Sequence, residues 1–93
     1  MNKEEFLNVS KRMVKEYFNR YIVDDEDDEI RDEDVQVVIF DDTSDSYKAT
    51  LTTPDLDNLY YGVTYDKNKK QLYSFIYEKD GFRVLGKKER THE

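Results

Sequence analysis

The spacing of apolar residues predicts an N-terminal amphipathic helix over residues 3–22. At 100° per residue, the apolar side chains fall on one wide face, and polar side chains such as Lys11 and Arg12 fall on the other. Asn2 stands at the position of a helix cap. Ser10 is the one polar residue within the apolar stripe, and its small side chain indicates close approach of the helix to a sheet. The width of the stripe predicts that the rest of the chain covers this helix.

An acidic connection over residues 23–34 ends the helical pattern. Its centre is an uninterrupted run of six carboxylates, Asp24, Asp25, Glu26, Asp27, Asp28 and Glu29. Adjacent like charges repel one another, and the run has nothing apolar to bury. The sequence therefore predicts an exposed and mobile loop.

Beyond residue 34 the apolar period changes from 3.6 to 2, which is typical of strands. The predicted strands span about 35–41, 46–53, 59–65, 71–78 and 82–85, and a polar tail follows over 86–93. The Asp80-Gly81 pair is the most specific hairpin signal, because it supplies the positive φ of a tight turn. A single domain over 1–93 is expected, with an α+β fold in which the helix packs on one face of a four- or five-stranded antiparallel meander.

Both faces of this predicted sheet carry large apolar side chains. In the first strand, strict alternation places Val38 and Phe40 on one face of the sheet and Val37 and Ile39 on the other. The face away from the helix is then expected to carry Phe40, Tyr73, Phe75 and Tyr77. One helix cannot cover two faces, so this second face either consists of strand-forming cross-strand pairs or is a contact surface for a partner or a second copy.

The charge is unevenly distributed along the chain. The net charge is −7, with 22 acidic and 15 basic residues, and there is no Cys. The acidic excess lies between residues 24 and 66, whereas the last quarter is basic. This balance argues against direct binding to nucleic acid. The absence of Cys fits a reducing cytoplasm. The longest apolar runs are far too short for a membrane span, and Glu4 and Glu5 stand where an export signal would need positive charge.

The sequence offers little chemistry for an enzyme. His92 is the single histidine and lies two residues from the end, so no Ser-His or metal-His arrangement is expected in a monomer. The acidic run resembles a calcium loop only superficially, because Glu29 occupies the position of the required Gly and Val35 that of the bidentate Glu. We therefore predict no catalytic residue, no cofactor and no metal site.

Two strand motifs follow a matching helix in a distinctive order. They are Lys48-Ala49-Thr50-Leu51-Thr52-Thr53 and Tyr60-Tyr61-Gly62-Val63-Thr64-Tyr65. Over residues 5 to 79 this pattern resembles a family of small phage and prophage proteins of Gram-positive bacteria, a domain of unknown function. The resemblance implies a phage genome, the cytoplasm of the bacterial host and an accessory role.

Two functions are expected from these features. The first is non-enzymatic binding to a host protein, as an inhibitor of a defence or nucleic-acid-processing component with an acidic, nucleic-acid-like surface. The alternative is a structural accessory protein that self-associates through the second sheet face, as a homodimer. The predicted partner-binding residues are the six carboxylates of 24–29 together with Phe40, Tyr73, Phe75 and Tyr77.

Overall fold

The computed structural model describes residues 1–54, 59–78 and 84–91 and shows one helix followed by an antiparallel meander. Its elements are α1 (Lys3–Tyr17), a π-helical turn (Phe18–Ile22), β1 (Gln36–Asp42), β2 (Ser46–Thr52), β3 (Leu59–Asp66), β4 (Gln71–Glu78) and β5 (Val84–Thr91). The strands form one five-stranded sheet in chain order. The predicted α+β fold is confirmed. Within the described residues, no helix has the length and apolar character needed to cross a membrane.

The helical segment begins where the sequence predicts. The Asn2 side chain accepts a hydrogen bond from the backbone N–H of Glu5 at 2.8 Å, which satisfies one of the free amides of the first turn. Regular α-helix ends at Tyr17, and the chain then widens into the π-helical turn. The N–H of Val23 closes this turn on the carbonyl of Phe18 at 3.2 Å. The predicted range 3–22 is therefore helical throughout, although its last turn is not an α-helix.

The core lies between α1 and one face of the sheet. Phe6 on the helix is fully buried, and its ring centroid lies 5.3 Å from that of Tyr47 on β2. The other buried apolar side chains are Met13, Val14, Phe18, Val35, Ala49, Leu51, Tyr61, Val63, Tyr65 and Leu72. Ser10 is also fully buried, and its hydroxyl donates to the Phe6 carbonyl at 2.7 Å. The prediction that Ser10 marks a close approach of the helix to the sheet is thus confirmed, because its small side chain is buried in the helix–sheet contact and bonds to its own helix.

The predicted alternation in the first strand is wrong. The pairing of β1 with β2 shifts register between Val37 and Ile39, so that Val37 lies opposite Leu51 and Phe40 lies opposite Ala49. The irregularity places Val37 and Phe40 on the same face, which is the face covered by α1. The Phe40 ring lies 6.1 Å from Phe6, and both residues belong to the packed core region. Phe40 therefore does not share a surface with the aromatic residues predicted beside it.

The prediction for the C-terminal region also needs correction. Residues 84–91 form a full strand paired with β4, from Tyr77 opposite Val84 to Gln71 opposite Thr91, rather than a short strand and a polar tail. Its charged sequence is typical of an edge strand, where charge discourages pairing with other chains. The predicted Asp80-Gly81 turn, the start of the predicted fifth strand at 82–83, and His92 lie outside the described residues.

The β1–β2 and β3–β4 turns are joined at one end of the sheet. The Lys67 ammonium donates to Oδ1 of Asp42 at 2.8 Å and to the carbonyl of Thr43, and it lies 4.2 Å from the centroid of the Tyr47 ring. The backbone N–H of Lys67 also donates to the carbonyl of Asp45 at 2.9 Å. One lysine thus links two hairpins through both its backbone and its side chain.

Candidate partner-binding surfaces

The acidic segment, residues 24–29, lies at the end of the sheet opposite to these two turns. It connects the C-terminal end of the helical segment with the start of β1. All six carboxylate side chains are exposed, as predicted. Among the described residues, none of the six forms an ion pair with a lysine or arginine. The segment therefore presents six exposed carboxylates to solvent.

The backbone of the acidic segment is nevertheless hydrogen bonded. Asp25 begins a 3-10 turn over Glu26–Asp28, and its side chain accepts from the N–H of Asp27 at 3.0 Å. The carbonyl of Asp25 accepts from the N–H of Asp28 at 2.9 Å, and that of Glu26 accepts from Glu29 at 3.2 Å. Repulsion between the side chains is thus compatible with a folded turn, because the side chains are exposed to water while the backbone N–H groups of Asp27, Asp28 and Glu29 are hydrogen bonded.

The side chain of Asn19 forms hydrogen bonds with Ile30, the residue that follows the acidic segment. Its amide nitrogen donates to the carbonyl of Ile30 at 2.9 Å, and its amide oxygen accepts from the N–H of Ile30 at 2.8 Å. Ile30 is partly buried and packs against the core. Two residues after Ile30, the carboxylate oxygen Oδ1 of Asp32 lies 3.5 Å from the ammonium group of Lys15 in α1. These contacts fix the position at which the chain leaves the segment toward β1.

The role of Asn19 is not evident from the helical pattern of the sequence. On a regular helical wheel it falls on the polar face, where a solvated side chain is expected. The π-helical turn alters the direction of side chains after Tyr17, so the wheel no longer applies there. One feature of the sequence does point to this role, because an Asn stands at the end of the helical pattern, just before a loop. Asn is unfavourable within helices and readily forms hydrogen bonds with backbone groups.

The face of the sheet away from α1 is the second candidate surface. Tyr73, Phe75 and Tyr77 of β4 lie on this face, as predicted, and are half-buried. The Phe75 and Tyr77 rings stack with centroids 6.1 Å apart. Ile39 of β1, which is 55% exposed, lies on the same face, where it pairs with Thr50 of β2.

Gly62 of β3 determines how the Tyr77 ring lies. A Cβ atom at Gly62 would come within 3.0 Å of Cε2 of Tyr77, which shows that the ring rests over the glycine. Tyr77 pairs with Tyr60 near the start of β3, at the same end of the sheet as the acidic segment. The aromatic surface, Tyr73, Phe75 and Tyr77, therefore reaches the end of the sheet at which the acidic segment lies.

The acidic side chains form no metal-binding arrangement in the part of the chain that the structure describes. No group of three or more Asp, Glu or His side chains there is placed to hold a metal ion. The two surfaces are suited to binding by charge and by aromatic contact.

The architecture defines a small α+β protein with one helix on a five-stranded antiparallel meander. A family model matches residues 7–84, which span α1 to the start of β5. The chain belongs to this family, described as a family of unknown function (DUF6275). Comparisons with curated proteins and with solved structures found no match.

Proposed function

We propose that this chain is a phage-encoded accessory protein that acts without catalysis by binding a host protein. The resemblance found in the sequence supports the phage context. The main support for the proposal is that the acidic segment has six exposed carboxylates, none of which forms an ion pair with a basic side chain among the described residues. The electrostatic field of these carboxylates steers the protein toward basic surfaces and raises the rate of association at low salt.

The partner that fits this surface is a protein with a basic groove for nucleic acid. A row of carboxylates presents negative charges to such a groove in place of phosphates. Occupation of the groove would exclude DNA or RNA, so the protein acts as an inhibitor of a host defence or nucleic-acid-processing component in the bacterial cytoplasm.

Affinity capture with charge variants tests this proposal. The baits are the wild-type protein, a variant with Asn in place of Asp24, Asp25, Asp27 and Asp28, and a control variant that also loses four negative charges. The control replaces exposed acids outside the segment, Glu4, Glu5 and Glu16 with Gln and Asp41 with Asn.

We expect the wild-type protein and the control to retain a nucleic-acid-binding protein that added DNA or RNA releases. The variant of the acidic segment should lose it. If both charge variants retain the same partner as the wild-type protein, the acidic segment is not the binding surface.

A second function, self-association as a structural accessory protein, is favoured by the aromatic surface. Half-buried aromatic rings on the sheet face away from α1 are suited to an isologous contact with a second copy. The measurement is the mass in solution by light scattering at low and high salt. A dimer at both salt concentrations that becomes a monomer on Phe75→Lys supports this function, whereas a wild-type monomer rules it out at the concentration used.

A further inference from the structure

The backbone of the acidic segment has a continuous set of internal hydrogen bonds at its C-terminal side. The N–H groups of residues 27 to 31 all donate within the molecule. Their acceptors are the side chains of Asp25, Asn19 and Asp34 and the carbonyls of Asp25 and Glu26. Five successive paired amides are typical of a folded turn, which argues against the mobile loop predicted from the repulsion between the side chains.

Asn19 differs from the other acceptors in its position. The acceptors in Asp25 and Glu26 lie within the acidic segment, and Asp34 lies shortly after it, so these bonds are local. The two Asn19–Ile30 bonds instead connect positions 11 residues apart and are partly buried. As in a bridge of a β-ladder, one group donates and accepts with the same partner residue. The two bonds join the residue that follows the acidic segment to the π-helical turn.

We infer that Asn19 is a positioning residue that holds the acidic segment as one preformed loop for its partner. This inference rests on the proposed function for its binding consequence. A loop that is already ordered loses less conformational entropy on binding, so its preorganisation lengthens the lifetime of the complex. The charge of the loop is independent of its order and determines the rate of encounter.

This role separates two kinetic effects. Asn19→Ala leaves the net charge unchanged, so the association rate at low salt should stay within about twofold of the wild-type rate. The dissociation rate should rise about tenfold, because the complex now has to order the loop. A general loss of folded protein would instead lower the apparent association rate, since fewer molecules could bind.

The first experiment measures amide exchange residue by residue in the free protein by NMR. Asn19→Ala removes the acceptor of the Ile30 amide, and its exchange should become at least tenfold faster. Asn19→Asp keeps an acceptor oxygen and should retain much of the protection. Asn8→Ala, at an exposed position of α1, is the matched control and should leave the exchange of the Ile30 amide unchanged.

The outcomes are decisive in each direction. Equal exchange of Ile30 in the wild-type protein and Asn19→Ala overturns the inference, whatever the proposed function. Faster exchange in Asn19→Ala but not in Asn8→Ala supports the positioning of the loop.

The second experiment measures association and dissociation with the protein captured by the wild-type bait. Faster dissociation of Asn19→Ala at an unchanged association rate supports the binding role, whereas unchanged dissociation overturns it. If the wild-type bait captures no partner, the proposed function and this binding role fail, while the exchange data still decide whether Asn19 orders the loop.

Discussion

Replacement of Lys67 by Met is expected to destabilise the protein by uncoupling the two hairpins. The Lys67 ammonium contacts three groups at once: the Asp42 carboxylate, the Thr43 carbonyl and the Tyr47 ring. Its side chain is 27% exposed, and that of Asp42 is 51% exposed. Met retains a long apolar stem and can keep much of the packing, so the substitution chiefly removes the interactions of the charge.

The magnitude follows from these three contacts. A partly exposed ion pair contributes about 0.2–1 kcal/mol, and a cation–π contact at such a site about 0.5–1 kcal/mol. A hydrogen bond from a charged donor contributes about 1.5–3 kcal/mol. Because one ammonium group makes all three, the contributions do not add fully, and we expect a loss of about 2 kcal/mol. For a domain of this size, that corresponds to a fall in Tm of roughly 8–16 °C.

The assay is urea unfolding at neutral pH, with Lys69→Met as the matched control. Lys69 is an exposed residue of the same turn, and its side chain has no ion pair among the described residues. The control should change the free energy of unfolding by less than about 0.5 kcal/mol. Equal midpoints for the two variants would refute the coupling of the hairpins through Lys67.

Urea unfolding of variants at Ser10, Lys70 and Gly62 tests the packing and the backbone conformation. Ser10→Leu should lose about 2 kcal/mol or more through overpacking of a fully buried site, whereas Ser10→Ala should stay within about 1 kcal/mol; similar losses would contradict the close helix–sheet contact. Lys70→Gly should gain up to about 1 kcal/mol because Lys70 has a φ of 55°, and a loss would contradict this. Gly62→Ala should destabilise by about 1 kcal/mol through contact with the Tyr77 ring but stabilise in a Tyr77→Ala background; the same sign in both would contradict the contact.

The sequence predicted the architecture well because its strongest signals are local. The Asn2 cap, the wide apolar stripe of α1 and the alternation in β2 each depend on residues close in the chain, and the structure contains all three. The exposure of the acidic segment was equally predictable, because no packing arrangement could bury six adjacent charges at low cost.

The errors arose where pairing partners decide the structure. The four apolar residues at 37–40 give no polar position from which to read a face, so the irregular register before Ile39 left no trace in the pattern. The charged sequence of β5 has no apolar alternation, and its strand forms by backbone pairing along the edge of β4. The Asn19–Ile30 bonds depend on the π-helical turn, which helical periodicity does not predict.

The most direct test of binding through the acidic segment is to measure the association rate with the captured partner at two ionic strengths. Asn at positions 24, 25, 27 and 28 removes like charges that contribute repulsion, so the Tm should be unchanged or slightly higher. At low salt, the variant should associate about tenfold more slowly than the wild-type protein, and at high salt the two rates should converge because screening removes the field. Equal rates at low salt would contradict steering by the acidic segment and would show that its carboxylates serve solubility alone.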